Sequence, residues 1–305
     1  MQAKQAKPFL KWAGGKSQLL SQFEALYPRE LKQGNIKKYI EPFIGGGAVF
    51  FDIAQKYHLS SALISDVNPE IVMVYQVIQQ EPEKLIEKLD NLAQKYQSLS
   101  EDNRKKIYYE LREQYNKQRL QINYQQYNDD WISRSALLIF LNRTCFNGLF
   151  RLNSKGEFNV PHGRYKNPPI LDAENLMAVS QLLQNTEIIN GDFAACQDAV
   201  IPQSFIYFDP PYRPLSKTAN FNSYAKSNFD DLQQIRLASF FRELHKNNEV
   251  KMMLSNSDPK NTNLADNFFE DLYQEFKIHR VAASRMINSK AQKRGRIVEL
   301  VITNY

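Results

Sequence analysis

The chain has 305 residues, 43% of them hydrophobic and 24% charged, so it carries enough apolar material for one large domain or two unequal ones. Eleven glycines and thirteen prolines are too few for a collagen-like or low-complexity protein, and no apolar run approaches the ~20 residues of a membrane-spanning helix. The two cysteines, Cys145 and Cys196, form no CxxC pair, which argues against a disulfide scaffold and favours a cytoplasmic protein. The net charge of +6 is compatible with a polyanionic partner.

The first eighty residues follow the pattern of a nucleotide-binding α/β unit. A β-rich segment at 37–43 ends at the glycine cluster 45–47, and an apolar stretch to Ala54 predicts a helix. A second short strand at 62–66 ends in an acid, and Asn68-Pro69 is typical of a helix start. Strand, glycine turn, helix, strand and acid predict the first half of a doubly wound sheet.

The middle of the chain interrupts this pattern. From residue 82 the composition is that of surface helices, a more apolar helix is expected at 131–142, and residues 142–169 read as a basic, aromatic, hairpin-like segment. Strands are predicted again at 187–190, 204–208, 250–256 and 296–305. We therefore predict an α/β domain made of residues 1–80 and 171–305, with an inserted helical and loop domain at 81–170.

The strongest chemical signal is the string Asp209-Pro210-Pro211-Tyr212, which directly follows an apolar strand. A carboxylate at the carboxyl end of a buried strand faces the crevice in which open α/β sheets bind ligands. Two prolines stiffen the turn after it and remove two amide donors. The string thus predicts a rigid corner that offers a carboxylate, a carbonyl and an aromatic ring.

Two further motifs predict nucleotide binding. Glu41-Pro42-Phe43-Ile44-Gly45-Gly46-Gly47 places glycines after the first strand, where the backbone can approach a nucleoside closely. Asp66 lies about 20 residues further on, the spacing at which an acid meets ribose hydroxyls in such folds. The N-terminal segment from Phe9 to Lys16 puts Trp12 beside two glycines, and its indole could stack on a heterocycle. Neither GxGxxG nor a P-loop is present.

Taken together, these residues resemble the amino-DNA methyltransferases that use S-adenosylmethionine. The chain is most similar to the Dam family of adenine methyltransferases, close to the modification enzymes of DpnII-type restriction systems, which act on GATC. The motifs that carry the resemblance run nearly end to end in the order of that family's α group: KWAGGK, EPFIGGG, ISDVN, CFNGLFR…GEFNVPHGRY, GDF, DPPY and LSNS. It implies a Rossmann-like fold with a mixed, mostly parallel seven-stranded sheet and an inserted target-recognition domain.

The resemblance also implies a cofactor site for S-adenosyl-L-methionine, with S-adenosyl-L-homocysteine as product and no metal. Asp66 would bind the ribose, Asp192 and Phe193 would hold the adenine ring, and Gly45 and Gly47 would let the methionine part approach. The cofactor residues that we carry over are Trp12, Lys16, Glu41, Phe43, Gly45, Gly47, Asp66, Asp192, Phe193 and Asp209.

The catalytic residues implied by the family are Asp209, Pro210, Pro211 and Tyr212. The Asp209 carboxylate and the Pro210 carbonyl would each accept one N–H of the adenine amino group, so that its lone pair faces the sulfonium methyl group. Because the amino group lies inside a duplex, the base must be flipped out, and Tyr212 is the expected stacking partner.

Contacts with double-stranded DNA are implied for the inserted segment. Arg151 has the planar donor pair suited to a guanine edge, and Phe146 would intercalate near the flipped base. Leu149 and Pro161 would add apolar contacts, whereas Asn147 and Arg164 would bind phosphates.

Several alternatives remain open. The same chemistry could act on another recognition sequence, or the fold could serve a non-catalytic DNA-binding protein; a different methyl acceptor is disfavoured because Asp rather than Ser or Asn opens the DPPY string. An ExK fragment of nucleases at Glu275 lacks the preceding Pro-Asp, and the four histidines show no metal-ligand spacing. His162 stands where the family often has an aromatic residue, and solvent exposure is one interpretation of it. Two further questions stay open: whether the basic run 290–296 contacts the DNA backbone, and whether a cognate restriction endonuclease accompanies the protein.

Overall fold

The computed structural model describes residues 5–12, 14–213, 229–247, 249–284 and 296–305, so the basic run 290–296 lies almost wholly outside the described residues. The strands are β1 Lys38–Glu41, β2 Ser61–Asp66, β3 Thr186–Asn190, β4 Ser204–Phe208, β5 Lys251–Ser257, β6 Lys277–Ser284 and β7 Arg296–Thr303. The helices are α1 Leu20–Leu26, α2 Arg29–Lys32, α3 Ala48–Lys56, α4 Pro69–Gln80, α5 Pro82–Gln97, α6 Glu101–Gln118, α7 Asp129–Thr144, α8 Ala173–Leu183, α9 Asp231–Asn247 and α10 Phe268–Leu272.

The strands form one sheet in the order β3-β2-β1-β4-β5-β7-β6. The pairs β1–β2, β1–β4 and β4–β5 are parallel, whereas β5–β7 and β6–β7 are antiparallel. Every residue of β4 is buried, as expected for a central strand covered on both faces. The predicted mixed, mostly parallel seven-stranded sheet is confirmed.

One strand of the sheet, β6, was not predicted from the sequence. Strand β6 pairs with β7 along its whole length, but its sequence KIHRVAAS mixes charged and small residues without clear alternation. Its pairing with β7, rather than its composition, makes it a strand. The other predicted strands are found, with ends that move by up to two residues.

Local signals explain where several helices begin. The Asn68 side chain accepts a hydrogen bond from the Glu70 amide at 3.1 Å, and Pro69 occupies the first helical position of α4. Asn128 caps α7 in the same way, and Asp172 caps α8 through the Asn175 amide. These caps satisfy amides that have no partner inside the helix.

The chain forms two compact units. The first contains the described residues of Met1–Gly15, Gly45–Phe51 and Asn68–Asn190, and the second those of Lys16–Ile44, Asp52–Val67 and Gly191–Tyr305. In the first unit α7 packs against α4, α5 and α6. The second unit holds every strand of the sheet except β3. These bounds differ from the predicted 81–170 insert, whose role in DNA recognition remains a prediction.

Within the first unit, Arg134 and Glu70 form a buried ion pair, and the Arg134 side chain is only 1% exposed. The Arg134 guanidinium also donates to the Tyr115 carbonyl at 2.7 Å, and the Tyr124 hydroxyl donates to Glu70.

Among the residues that the structure describes, no helix is both long and apolar enough to cross a membrane.

Candidate active site

Three acidic residues stand at the carboxyl ends of three adjacent parallel strands in the second unit. Glu41 is the last residue of β1, Asp66 is the last residue of β2, and Asp209 follows β4 directly. Since β1 pairs in parallel with both β2 and β4, the three acids lie along the same edge of the sheet. Glu41 is buried and accepts a hydrogen bond from the Tyr39 hydroxyl at 2.6 Å, and Asp66 is half-buried.

The Asp209 carboxylate is held through one of its two oxygens. Lys16 Nζ lies 2.8 Å from Oδ1, and the Ser255 hydroxyl donates to the same oxygen at 3.0 Å. The Ser255 hydroxyl is itself hydrogen-bonded to Tyr207 at 2.8 Å. Both of these contacts are made to Oδ1, and the Asp209 side chain is 22% exposed. One carboxylate oxygen is therefore fixed while the other keeps its accepting capacity.

Burial and the neighbouring charges act in opposite directions on Asp209. Burial raises the pKa of its carboxyl, because the charged form is poorly solvated, and the Lys16 ammonium and the Ser255 hydrogen bond lower that pKa. Lys16 is itself only 3% exposed. This ammonium is the main group that favours the carboxylate form.

Side chains of α9 and β5 hold the backbone of the DPPY turn in place. Gln234 on α9 donates to the Pro211 carbonyl at 3.0 Å, and Asn256 on β5 donates to the Gln234 side chain. The next residue, Arg213, forms ion pairs with Asp231 and Asp266 at 2.7 and 2.8 Å. By contrast, no described residue donates a hydrogen bond to the Pro210 carbonyl.

Tyr212 is held at its hydroxyl and at one face of its ring. The hydroxyl donates to Glu299 Oε2 on β7 at 2.6 Å. Lys16 Nζ lies 4.5 Å from the centre of the Tyr212 ring, so one ammonium contacts both the Asp209 carboxylate and this ring.

The second unit also brings together two of the predicted cofactor residues as an aromatic pair. The Phe43 and Phe193 rings lie 5.6 Å apart with an angle of 31° between their planes. Asp192 caps the turn that begins at Phe193, and Arg236 forms an ion pair with Asp192 while its guanidinium lies 4.3 Å from the centre of the Phe193 ring. The hydrogen bonds from Arg236 lower the pKa of Asp192, although burial opposes them.

Three other residues that were predicted to bind the cofactor, Trp12, Gly45 and Gly47, lie in the first unit. Gly45 adopts a φ of 44°, and a Cβ on it would stand 2.6 Å from the Trp12 indole nitrogen. Only glycine fits this position, since both the backbone angle and the indole exclude a side chain. The Trp12 ring stacks on Phe150 with 5.5 Å between the ring centres.

The predicted DNA-contacting segment is hairpin-like, as expected, but its strands are reduced to isolated bridges, Cys145 with His162 and Leu152 with Phe158. The Phe146 amide donates to the Pro161 carbonyl at 2.8 Å, which places these two predicted DNA contacts side by side. Phe146 is 51% exposed, an unusual position for a phenylalanine.

The other predicted DNA contacts lie close to this pair in the chain. Asn147 and Arg164 both have positive φ angles, 56° and 49°, and both are exposed. Arg151 is exposed and its Nε donates to the Asn159 side chain at 2.8 Å, whereas Leu149 is half-buried. Non-glycine residues adopt such angles at an energetic cost, so the contacts of the surrounding residues must hold the backbone of this segment in place.

His162 does not face solvent, so that interpretation was wrong. It is buried, and its Nε2 is hydrogen-bonded to the Tyr96 hydroxyl at 2.6 Å. Its ring also lies 5.2 Å from that of Tyr108, and burial lowers its pKa. The histidine therefore packs against aromatic rings and makes one hydrogen bond.

Two residues of the site were not predicted. Ser255 belongs to the quoted LSNS string, but nothing in that string indicates a contact with Asp209. Glu299 is an acid flanked by apolar residues in the strand sequence RIVELVIT, and this was the signal that could have identified it.

Comparison with known proteins identifies the family of this chain. Residues 12–287 match the family of D12 class N6 adenine-specific DNA methyltransferases. The chain belongs to this family. It is 52% identical over 303 residues to the type II methyltransferase M.MjaIII of Methanocaldococcus jannaschii, covering 99% of this chain and 100% of that protein.

More distant relatives agree. The type II methyltransferase M1.LlaDCHI of Lactococcus lactis subsp. cremoris is 39% identical over 301 residues, covering 98% of this chain and 95% of that protein. The DNA adenine methylase of Escherichia coli K12 is 33% identical over 298 residues, with the same coverage of both chains. This D12 class enzyme is therefore an adenine-specific DNA methyltransferase, and its family implies S-adenosylmethionine as methyl donor.

Proposed function

We propose that this enzyme methylates the N6 amino group of adenine in GATC sites of double-stranded DNA, on a base flipped out of the helix, by direct in-line displacement. The observation that carries the chemical part is the half-occupied Asp209 carboxylate, with Oδ1 bound by Lys16 and Ser255. The GATC part rests on the resemblance of the NGLFR…GEFNVPHGRY block to that of the Dam family.

The residues of the second unit fit S-adenosylmethionine. Glu41, Asp66 and Asp209 form an acidic edge suited to a ligand that carries a sulfonium, an ammonium and a ribose diol, and the Phe43–Phe193 pair offers an apolar surface to an adenine ring. The cofactor supplies an electrophilic methyl carbon on its sulfonium. We assign Trp12, Gly45 and Gly47 to the same ligand on the family resemblance.

The adenine amino group is a poor nucleophile because its lone pair is delocalised into the ring. Asp209 Oδ2 would accept one of its N–H bonds and the Pro210 carbonyl the other, which favours a more tetrahedral nitrogen. Both acceptors sit on a turn stiffened by two prolines and braced by Gln234, so their positions are set before the base arrives. In the displacement the nitrogen–carbon bond forms as the carbon–sulfur bond breaks, and the amino proton then leaves towards Asp209 or water.

We assign recognition of the duplex to residues 81–170. The exposed Phe146 beside Pro161 would enter the stack next to the flipped base, Leu149 would contact bases, and Asn147 and Arg164 would bind phosphates. Arg151 would read one guanine, with Asn159 orienting its guanidinium. Type II methyltransferase names among the relatives support a functional link to a cognate restriction endonuclease.

The chemical part is tested with Asp209→Ala and labelled S-adenosylmethionine. Transfer to duplex DNA should fall by about 100-fold or more, whereas duplex affinity should stay within about threefold, because Asp209 acts on the flipped base alone. Asp198→Ala, which removes an exposed acid of the same unit, is the matched control and should transfer normally. Equal loss of transfer and DNA binding in Asp209→Ala would contradict the catalytic assignment.

The recognition sequence is tested separately. Plasmid from cells that express the enzyme is digested with one endonuclease blocked by GATC methylation and with another that requires it. Protection from the first and cleavage by the second are expected. Labelled DNA that both enzymes treat as unmethylated would show that the same chemistry acts on another sequence.

A further inference from the structure

The side chain of Tyr212 needs a restraint that the DPPY turn does not supply. Two prolines fix the backbone before it, but the ring still rotates about two side-chain bonds. A ring that stacks on a flipped base should be held near one orientation before the base arrives. If the ring became ordered only on binding, the lost side-chain entropy would weaken the binding of the base. The structure supplies that restraint from outside the motif, through Glu299.

Glu299 occupies a rigid position. It lies on β7, which pairs with β5 on one side and β6 on the other, and its register partners are Ser257 and Val281. Its side chain is half-buried, and it receives the Tyr212 hydroxyl at 2.6 Å. When a carboxylate accepts a hydrogen bond from a phenol hydroxyl at this distance, the bond is charge-assisted and stronger than a hydrogen bond between neutral groups.

The groups around this pair all favour one ring position. The Lys16 ammonium stands 4.5 Å from the ring centre and is itself fixed on Asp209 at 2.8 Å. With an ammonium over one face of the ring, a base would stack on the opposite face. Burial and the Asp209 charge raise the pKa of Glu299, whereas Lys16 and the Tyr212 hydrogen bond lower it. The Lys16 ammonium therefore favours the accepting carboxylate against these two effects.

We propose that Glu299 is a positioning residue for methyl transfer: its hydrogen bond to the Tyr212 hydroxyl fixes the ring against which the target adenine stacks. The proposal rests on the stacking role of Tyr212 in the proposed function. It assigns a function to a residue of the last strand, 87 positions away in the chain. A purely structural bond would instead tie β7 to the turn with no effect on the chemical step.

A double-mutant cycle separates these two roles. Tyr212→Phe keeps the ring and removes the hydroxyl, Glu299→Ala removes the acceptor, and Glu299→Gln keeps an acceptor oxygen of similar size. The intact enzyme and its variants are assayed on unmethylated genomic DNA, which contains every short recognition sequence, so that kcat and KM for DNA can be measured whatever the site is. Glu30→Gln, which removes the charge of an ion pair with Lys251 at 2.8 Å, is the matched control and should leave both constants unchanged.

Glu299→Ala and Tyr212→Phe should each lower kcat by about 10-fold with KM for DNA within about twofold, the loss expected for one charge-assisted hydrogen bond used in the chemical step. The double variant should be no slower than the slower single variant, since both remove the same bond. Glu299→Gln should recover most of kcat. Circular dichroism and cofactor binding establish that each variant is folded.

A fluorescent reading of the base completes the test. With 2-aminopurine at the methylated position, Glu299→Ala should give a brighter complex than the wild type, because the flipped base stacks less on the ring. Losses of kcat that multiply in the double variant, or variants that are less stable but transfer at the normal rate, would overturn the proposal. Unchanged transfer by Tyr212→Ala would overturn it as well, together with the stacking role. A failure of the GATC assignment alone appears in the plasmid digests and leaves the cycle readable.

Discussion

Replacing Lys16 by methionine perturbs the centre of the site in a way that can be worked out from the structure. The substitution keeps most of the apolar side chain and removes the ammonium 2.8 Å from Asp209 Oδ1. At this distance two unit charges attract by about 6 kcal/mol at an effective dielectric constant of about 20. Breaking a buried ion pair usually destabilises a protein by about 3–5 kcal/mol, and we expect about 3 kcal/mol here because Asp209 still reaches water.

The loss should depend on pH in a defined direction. Burial already raises the pKa of Asp209, and without the Lys16 ammonium it rises further. A carboxyl whose pKa is higher in the folded than in the unfolded state weakens the fold as pH rises through the folded-state pKa, and this penalty disappears below the unfolded-state pKa. The difference in unfolding free energy between wild type and Lys16→Met should therefore be largest at neutral pH and shrink on acidification.

The same shift should appear in catalysis. A protonated Asp209 carboxyl accepts the hydrogen bond from the adenine amino group more weakly than the carboxylate does. Because the pKa of Asp209 is higher in Lys16→Met, the acid limb of the pH profile of kcat should move to higher pH in this variant. Labelled methyl transfer is measured between pH 5.5 and 8.5, and denaturant unfolding is measured at both ends of that range. Lys117→Met, which breaks an exposed pair with Glu113, is the control and should change neither.

An unmoved acid limb combined with weaker cofactor binding would refute this reasoning. Lys16 would then serve the cofactor, as the family resemblance implies, and the ion pair with Asp209 would have no part in setting its ionisation.

Two further predictions concern the first unit. Arg134→Met leaves Glu70 charged and buried and should lower the unfolding free energy by about 4 kcal/mol, whereas adding Glu70→Gln should recover part of that loss in the same denaturant titration; equal stability of the single and double variants would contradict a buried charge as the cause. Arg151→Ala should lose about 1–3 kcal/mol of discrimination at one base pair, measured by competition between GATC and single-substitution duplexes, and a uniform loss across all duplexes would make Arg151 a phosphate contact.

Much of the fold follows from local patterns in the chain. The glycine turn after β1, the Asn68 cap of α4 and the apolar run of β4 each restrict the backbone through interactions within a few residues, so they can be found without the tertiary structure. Strand β6 could not be found in this way, because its charged and small residues become a strand only through pairing with β7. His162 was misjudged for the same reason, since its burial depends on Tyr96 and Tyr108 from preceding helices.

The amino-acid sequence by itself indicated the family of the enzyme: DPPY after a buried strand, the glycine turn and the order of the motifs resemble those of the adenine methyltransferases. Such motifs can be found without the tertiary structure because they are encoded within short segments. Only the tertiary structure decided how these groups are held. Lys16 and Ser255 reach Asp209, and Glu299 reaches Tyr212, across separations of 46 residues or more. Such contacts depend on which strands become neighbours in the sheet, and no local pattern of residues records that order.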